Sequence, residues 1–377
     1  MNILFLLKYY KIGGVETVTH VLANKFQSEY HNCTIFCLSH SRDTIFPSLR
    51  KDVTLIFSQE TSNKEVIKEL RYILLEKHID IVINQSGHLM SVMRLLEMAK
   101  EGLSIKTISI YHNMPNLPSS KSTKSSLSIG HVRFLIQQLK SRYGMRYIYK
   151  HSDLFCLLSK SFVNRFSSYT KCKELSKLRV IPNPITIATS SMPLKKEKEV
   201  IYVGRVDTQQ KRAKRLIKVW ALLEKAFPEW KFSIVGDGSA LDDLKKEVHR
   251  LDLKRVCFTG FCNPLDYYKR ASLLLLTSEY EGFPLVLLEA MTNYCIPVVY
   301  GSFPSVYDII DSGKDGIIVP YCKDGFRAIE MANELKTLMA NEAKISEMAH
   351  AASTKSEQFT VDAIYQLWMK VFNGLKL

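Results

Sequence analysis

Two carboxylates eight positions apart, Glu281 and Glu289, frame the segment Glu281-Gly282-Phe283-Pro284-Leu285-Val286-Leu287-Leu288-Glu289. Pro284 suits the first turn of a helix, where its missing N–H costs nothing. The amides near Phe283 and Leu285 then point out of a helix N-terminus, a place that favours an anion. Glu289 interrupts an otherwise apolar helix, and a polar group there needs partners. A pair of ribose hydroxyls would supply them; so would a neighbouring backbone group or a lysine.

Gly204-Arg205 follows the apolar run Val200-Ile201-Tyr202-Val203, and Lys211 lies six residues on. A guanidinium and an ammonium aimed at one place can neutralise a diphosphate, the arginine bidentately. Taken singly, these residues read equally as a solvated charge run, since Arg212, Lys214 and Arg215 follow. Gly236-Asp237-Gly238 and Gly13-Gly14 each follow a strand-like run; they read as tight turns whose backbone admits close approach of a ligand. His112 ends the run Lys106–Tyr111, where an imidazole is either structural or a proton-handling group. The eight cysteines form no CxxC pair and no zinc-type spacing with histidine, so buried free thiols in a reducing compartment are expected.

These residues recur where strands end and helices begin. Asn2–Leu7, Asn32–Leu38, Ile79–Asn84, Lys106–Tyr111, Leu154–Leu158 and Val180–Pro182 read as strands, with helical stretches at Glu16–Phe26, Lys64–Lys77, His88–Lys100 and Lys160–Phe166 between them. Ile181-Pro182-Asn183-Pro184, a polar run to Pro193 and the charged, solvated Lys195–Glu199 break the pattern. Alternation restarts at Val200 and continues through strands at Lys231–Val235, Val256–Thr259, Leu273–Thr277, Pro297–Tyr300 and Gly316–Val319. Two βα-alternating halves imply an α/β chain of two Rossmann-like domains facing across a cleft, with ligands beyond the carboxyl ends of the strands. At 377 residues, two domains is also the size expectation.

Charge separates the halves. The chain carries a formal net charge of +15. Residues 1–195 hold 27 Lys/Arg against 13 Asp/Glu, whereas residues 196–377 hold 25 against 24. No acidic residue occurs between Glu101 and Asp153. Within that stretch Val132, Leu135, Ile136, Leu139, Tyr143 and Tyr147 form one helical stripe, flanked by Arg133 and Lys140 on one side and Arg142 and Arg146 on the other. Such a helix either lies in a lipid headgroup layer or packs on the protein with a solvated basic rim. A nucleic-acid partner is not expected, because no matching motif accompanies the charge. No apolar run approaches the ~18–20 residues of a membrane span, and the first residues lack the basic lead of a signal peptide. A cytoplasmic protein is expected, with a peripheral seat on the inner face of the plasma membrane as the alternative that the basic helix leaves open.

In their order and spacing, Gly13-Gly14-Val15-Glu16, Tyr202-Val203-Gly204-Arg205 with Lys211, Val235-Gly236-Asp237-Gly238, Phe258-Thr259-Gly260-Phe261 and Glu281-Gly282-Phe283-Pro284 with Glu289-Ala290-Met291 resemble the retaining GT-B glycosyltransferases of family 4. The resemblance implies a nucleotide-diphosphate-sugar donor as substrate and no cofactor or metal. Glu289 would bond the ribose, Arg205 and Lys211 the diphosphate, and Glu281 the sugar, with Gly282, Phe283 and Leu285 helping through their backbone. His112 would face the sugar, Gly260 and Phe261 would flank the base, and Gly13 and Gly14 would lie near the phosphates. Domains are then expected at 1–188 (acceptor) and 189–360 (donor), with a helix in 361–377 returning to the first. Cys295 stands where that family usually has glycine, and an extra residue separates Gly204-Arg205 from Lys211. The activity implied is retaining sugar transfer to a glycolipid or growing polysaccharide; a GT-B sugar-nucleotide epimerase, or a non-catalytic membrane- or nucleic-acid-binding protein on this fold, are the alternatives.

Overall fold

The computed structural model describes residues 1–11, 13–39, 49–115, 129–188 and 196–375, the side chains of 129–134 apart. The chain divides into two units, one of Met1–Pro184 with Val361–Leu377 and one of Ile185–Thr360.

The first unit runs β1 (Asn2–Leu7), α1 (Gly14–Ser28), β2 (Asn32–Cys37), β3 (Thr54–Phe57), α2 (Asn63–Glu76), β4 (Ile81–Asn84) and α3 (Met90–Ala99). It continues through β5 (Lys106–Tyr111), α4 (Ile129–His151), β6 (Leu154–Leu157), α5 (Phe162–Thr170) and β7 (Leu178–Val180). Its sheet is wholly parallel, in the order β3-β2-β1-β4-β5-β6-β7. Parallel strands are covered on both faces, which is why β1, β4 and β6 are continuous apolar runs with buried side chains.

The second unit runs β8 (Glu197–Val203), α6 (Lys214–Trp220), β9 (Lys231–Val235), α7 (Leu241–Arg250), β10 (Val256–Gly260), α8 (Leu265–Arg270) and β11 (Ala271–Leu276). Then come α9 (Leu285–Thr292), β12 (Ile296–Gly301), α10 (Val306–Ile309), β13 (Ile317–Pro320), α11 (Ala328–Met339) and α12 (Glu342–Ser356). Its six strands are also parallel, in the order β10-β9-β8-β11-β12-β13. The final helix, α13 (Val361–Asn373), belongs to the first unit and packs on α1. There Phe26 is ringed by Tyr365, Phe372 and Trp368 at centroid distances of 5.5, 5.5 and 6.2 Å.

Both sheets reverse strand order at one place, between β1 and β4 and between β8 and β11. Connections leave in opposite directions there, opening a crevice beyond the strand ends.

Several local expectations change. Of the run Lys195–Glu199, residues 197–199 are not a linker but open β8, with Glu197 and Lys198 exposed as expected. Glu199 is fully buried, accepting from Arg270 at 2.7 and 3.1 Å and from the Ser233 hydroxyl at 2.5 Å. Beside it Lys196 Nζ donates to the carbonyls of Tyr268 and Asn293, and burial pulls its ammonium down to about 8. The strand expected at Val180–Pro182 is β7, which ends at Val180. Half the cysteines meet the expectation of burial: Cys33, Cys37, Cys156 and Cys295 are enclosed, and burial pushes their thiols up to about 12. Cys257 and Cys262 are instead exposed. No described helix is long and apolar enough to cross a membrane.

Candidate active site

The crevice of the second unit is built by the segments that follow β8, β9 and β11. Gly204 leaves β8 with φ +142°, a left-handed conformation that favours glycine, and its N–H donates to Val235 O at 3.0 Å. The next segment fits against it because Gly236 and Gly238 have no side chains. A Cβ on Gly236 would lie 2.0 Å from Gly204 O, and one on Gly238 would lie 2.4 Å from Val206 O. The Gly236-Asp237-Gly238 turn is therefore a backbone-to-backbone seam, closed by Val206 N to Asp237 O at 2.8 Å.

Asp207 organises the turn beyond β8. One of its oxygens accepts from the amides of Gln209, Gln210 and Lys211 at 2.9, 2.7 and 3.0 Å, and the other accepts from Arg205 Nε at 2.9 Å. Burial pushes this carboxyl up, but the Lys211 amide, the guanidinium and the Gln210 amide outweigh it and hold it below the usual range. It was not among the expected site residues. The signal that could have found it is an aspartate just beyond a strand end, where its side chain caps turning amides.

The turn delivers Lys211 to Glu281, seventy residues away, at 2.7 Å. Both are nearly buried, with side-chain exposures of 13% and 7%. Gln210 Nε2 donates to the other Glu281 oxygen at 3.2 Å, and Gln210 Oε1 accepts from Arg205 at 3.1 Å. Arg205, Gln210, Lys211 and Glu281 thus form one network. The neighbouring cations go elsewhere: Arg212 and Arg215 bind Glu279, and Lys214 binds Asp243. The charge run is therefore not uniformly solvated, and Lys211 alone within it is directed at Glu281. A cavity of about 300 Å³ opens against this network, lined by Arg205, Asp207, Gln210, Ser239 and Tyr280 among others.

After Glu281 and the buried Gly282, Phe283 packs its ring on Phe359 at 5.8 Å. Pro284 is the residue capping α9, one position before the expected first turn, and Leu285 opens the helix. One turn further in, Glu289 is buried, with Oε1 accepting from Thr186 Oγ1 at 2.6 Å and Oε2 from Tyr268 Oη at 2.9 Å. Its partners are two hydroxyls, not a lysine or a backbone amide. Burial pushes its carboxyl up, against the pull of those two hydrogen bonds. Glu289 forms no hydrogen bond with the Glu281 network, so three of the four charged residues are joined and the fourth stands apart. Gly260 is open on its Cβ side with φ +71°, and Phe261 after it is 71% exposed.

The remaining expected residues lie in the first unit, at its own strand reversal. Gly13 caps α1 and Gly14 begins it; a Cβ on Gly13 would come within 2.8 Å of the Glu16 carboxylate. The end of β1 is tied to the end of β4 by Lys8 N to Ser86 Oγ at 2.9 Å. His112, just past β5, has Nε2 2.7 Å from Gln85 Oε1, and burial first, then His88, pulls its imidazole down to about 3. It is neutral at ordinary pH, so Nε2–H donates to Gln85, and Nδ1 is left as an acceptor with no bond among the described residues. Gln85 Nε2 is buried without a partner among the described residues. Gln85 was not foreseen; a polar residue closing the apolar strand Ile81–Asn84 was the available sign. Among the described residues no cluster of three or more His, Cys, Asp or Glu side chains could hold a metal ion.

Comparison with known proteins gives this arrangement a context. The model described as glycosyltransferase family 4 matches residues 12–189, and that of glycosyl transferases group 1 matches residues 187–358. An uncharacterized glycosyltransferase of Haemophilus influenzae is 24% identical over 372 residues, 97% of each chain. The lipopolysaccharide 1,6-galactosyltransferase of Salmonella typhimurium is 25% identical over 327 residues, 83% of this chain and 84% of that one. Among solved structures, Anabaena HepE in complex with UDP-glucose superposes over 100% of both chains with a TM-score of 0.74 at 17% identity, which shows a common GT-B fold. The two family models between them span residues 12–358, and the chain is a glycosyltransferase in which a family 4 domain is followed by a group 1 domain.

Proposed function

We propose that this glycosyltransferase moves a sugar from a nucleotide-diphosphate-sugar, with UDP as the favoured nucleotide, to a glycolipid or growing polysaccharide in cell-surface polysaccharide synthesis. The carrying observation is the Arg205–Gln210–Lys211–Glu281 network at the strand reversal of the second unit. Arg205 and Gln210 of this network line a cavity, with the Lys211–Glu281 pair bonded to Gln210 beside it, which suits a ligand with anionic phosphates joined to a hydroxyl-rich sugar. The relatives, a lipopolysaccharide galactosyltransferase and a protein solved with UDP-glucose, support the donor and acceptor classes.

In this reading Arg205 and Lys211 neutralise the diphosphate as the C1–O bond breaks and negative charge grows on the departing oxygen. Glu281 receives sugar hydroxyls, and Glu289 exchanges its present hydroxyl partners for those of the ribose. The acceptor hydroxyl attacks C1 from the face the phosphate leaves, and its proton passes to that phosphate, so the anomeric configuration is retained. His112, held as the Nε2–H tautomer by Gln85, offers Nδ1 as an acceptor to the sugar. Gly13 and Gly14 approach the phosphates, and Gly260 and Phe261 flank the base. We place the reaction in the cytoplasm and expect it to proceed without metal, so that chelators leave turnover unchanged.

A thermal-shift screen of UDP- and GDP-sugars, followed by mass-spectrometric detection of transfer, tests this. The expected result is stabilisation by one nucleotide family, with Lys211→Ala raising the donor KM more than about tenfold. Glu281→Ala should lower kcat at least roughly a hundredfold while leaving binding of the bare nucleotide intact. Unchanged turnover in Glu281→Ala would remove that residue from the sugar site.

A further inference from the structure

Helix α4 has two apolar faces, and the fold uses only one. Met145, Ile148 and Tyr149 are buried, with Gly144 beside them, and they seat the C-terminal half of the helix on the first unit. Contacts with α3 and α5 hold it there, Tyr169 Oη donating to Gln138 O at 3.0 Å and the Arg142 guanidinium lying over the Tyr169 ring. At about 100° per residue, the opposite side carries Leu135, Ile136, Leu139 and Tyr143. These are 48%, 46%, 61% and 58% exposed. The stripe expected from the sequence is therefore real but is not the packing face; burial falls on the reverse side. Arg146 and Lys150 continue the stripe's line toward the C-terminus, and Lys140 stands on its flank, all exposed. None of the three forms an ion pair among the described residues. The side chains of Val132 and Arg133 lie outside the described residues.

The surroundings are one-signed. From residue 102 to 152 the sequence has no carboxylate. Of the carboxylates bordering that stretch, Glu97 accepts from Tyr147 and contacts His151, Asp153 accepts from the Thr107 amide, and Glu101 is exposed. An exposed apolar stripe grading into cations marks a binding surface rather than a solvated face. A second copy of this chain would bring like charges together across the contact.

We propose that α4 is a docking surface for an anionic lipid bilayer, lying in the headgroup layer with Leu135, Ile136, Leu139 and Tyr143 toward the acyl chains and Lys140, Arg146 and Lys150 on lipid phosphates. This deepens the proposed function, because it holds the first unit where a glycolipid acceptor resides, yet it stands on the helix alone.

The test uses the full chain and vesicles of phosphatidylcholine, with or without about 30 mol% phosphatidylglycerol. Co-sedimentation is expected with the anionic vesicles and is weakened by salt. Leu139→Ser with Tyr143→Ser should weaken binding roughly tenfold at every salt concentration. Arg146→Glu with Lys150→Glu should remove the preference for anionic lipid. In a Tyr143→Trp variant the new indole should shift to the blue and be quenched by lipids brominated on their acyl chains. Trp220, Trp230 and Trp368 are all buried, so they do not answer in its place. Binding that ignores phosphatidylglycerol, an unquenched indole, or a dimer in sedimentation that the double serine variant dissolves would each overturn the proposal. Thermal shifts with nucleotide sugars should be the same in all variants, so failure here is distinguishable from failure of the donor site.

Discussion

At the scale of single residues, identity alone did not distinguish roles; the partner did. Lys211, Arg212, Lys214 and Arg215 look alike in sequence, yet the structure sends Lys211 to Glu281, Lys214 to Asp243, and both arginines to Glu279. His112 yields a prediction at this scale. Its imidazole falls from an ordinary value near 6.5 to about 3 on folding, through burial and then His88. The folded protein thus favours the neutral ring, whereas the unfolded chain takes up a proton below about pH 6.5. Its contribution to stability is whole above that pH and is lost as pH falls toward 3. One proton gives a slope of at most ~1.4 kcal/mol per pH unit. Urea midpoints of the wild type should therefore fall more steeply between pH 6.5 and 4.5 than those of His112→Gln; parallel curves would contradict the buried neutral ring.

At the scale of elements, much of the pattern was legible because βα alternation depends on short apolar runs that recur between helices, and most of those runs are strands. What escaped did so for physical reasons. Strand β3 is four residues at a sheet edge, one exposed and three half-buried, too short to show a period. Helix α10 is a single turn. Glu199 in β8 looked solvated because it is charged, and its partner Arg270 is 71 positions away where no local pattern reveals it. For α4 the helical wheel found a stripe but not which side meets the core, since glycine and methionine on the reverse face weigh little in such a count. In the candidate site, Glu281 and Lys211 were legible from strand ends, whereas Asp207 acts through backbone amides and leaves little trace. The seam between the segments after β8 and β9 gives a prediction here. Gly236→Ala forces a Cβ to 2.0 Å from a carbonyl oxygen at φ +144°. It should cost at least ~2 kcal/mol and displace the Arg205–Asp207 turn, lowering donor affinity along with the melting temperature. A variant that kept both would show that the seam yields.

At the scale of the whole molecule, the two units differ in charge, nearly all the +15 residing in the first half of the chain, while they share an all-parallel architecture. Their independence is incomplete in one respect: the first unit contains a piece from the far end. Ile364, Tyr365, Trp368 and Phe372 of α13 are buried. Removing residues 361–377 should take more than ~3 kcal/mol from the first unit and leave the second largely as it was. Calorimetry would show this as a new low-temperature transition, and an unaltered profile would mean that α13 is dispensable. Phe26 and its neighbours on α1 emerge early in synthesis, but the ribosome must pass residue 373 before their covering exists. Residues 1–184 of the first unit therefore wait, with the apolar surface of α1 bare, while the second sheet is still being translated.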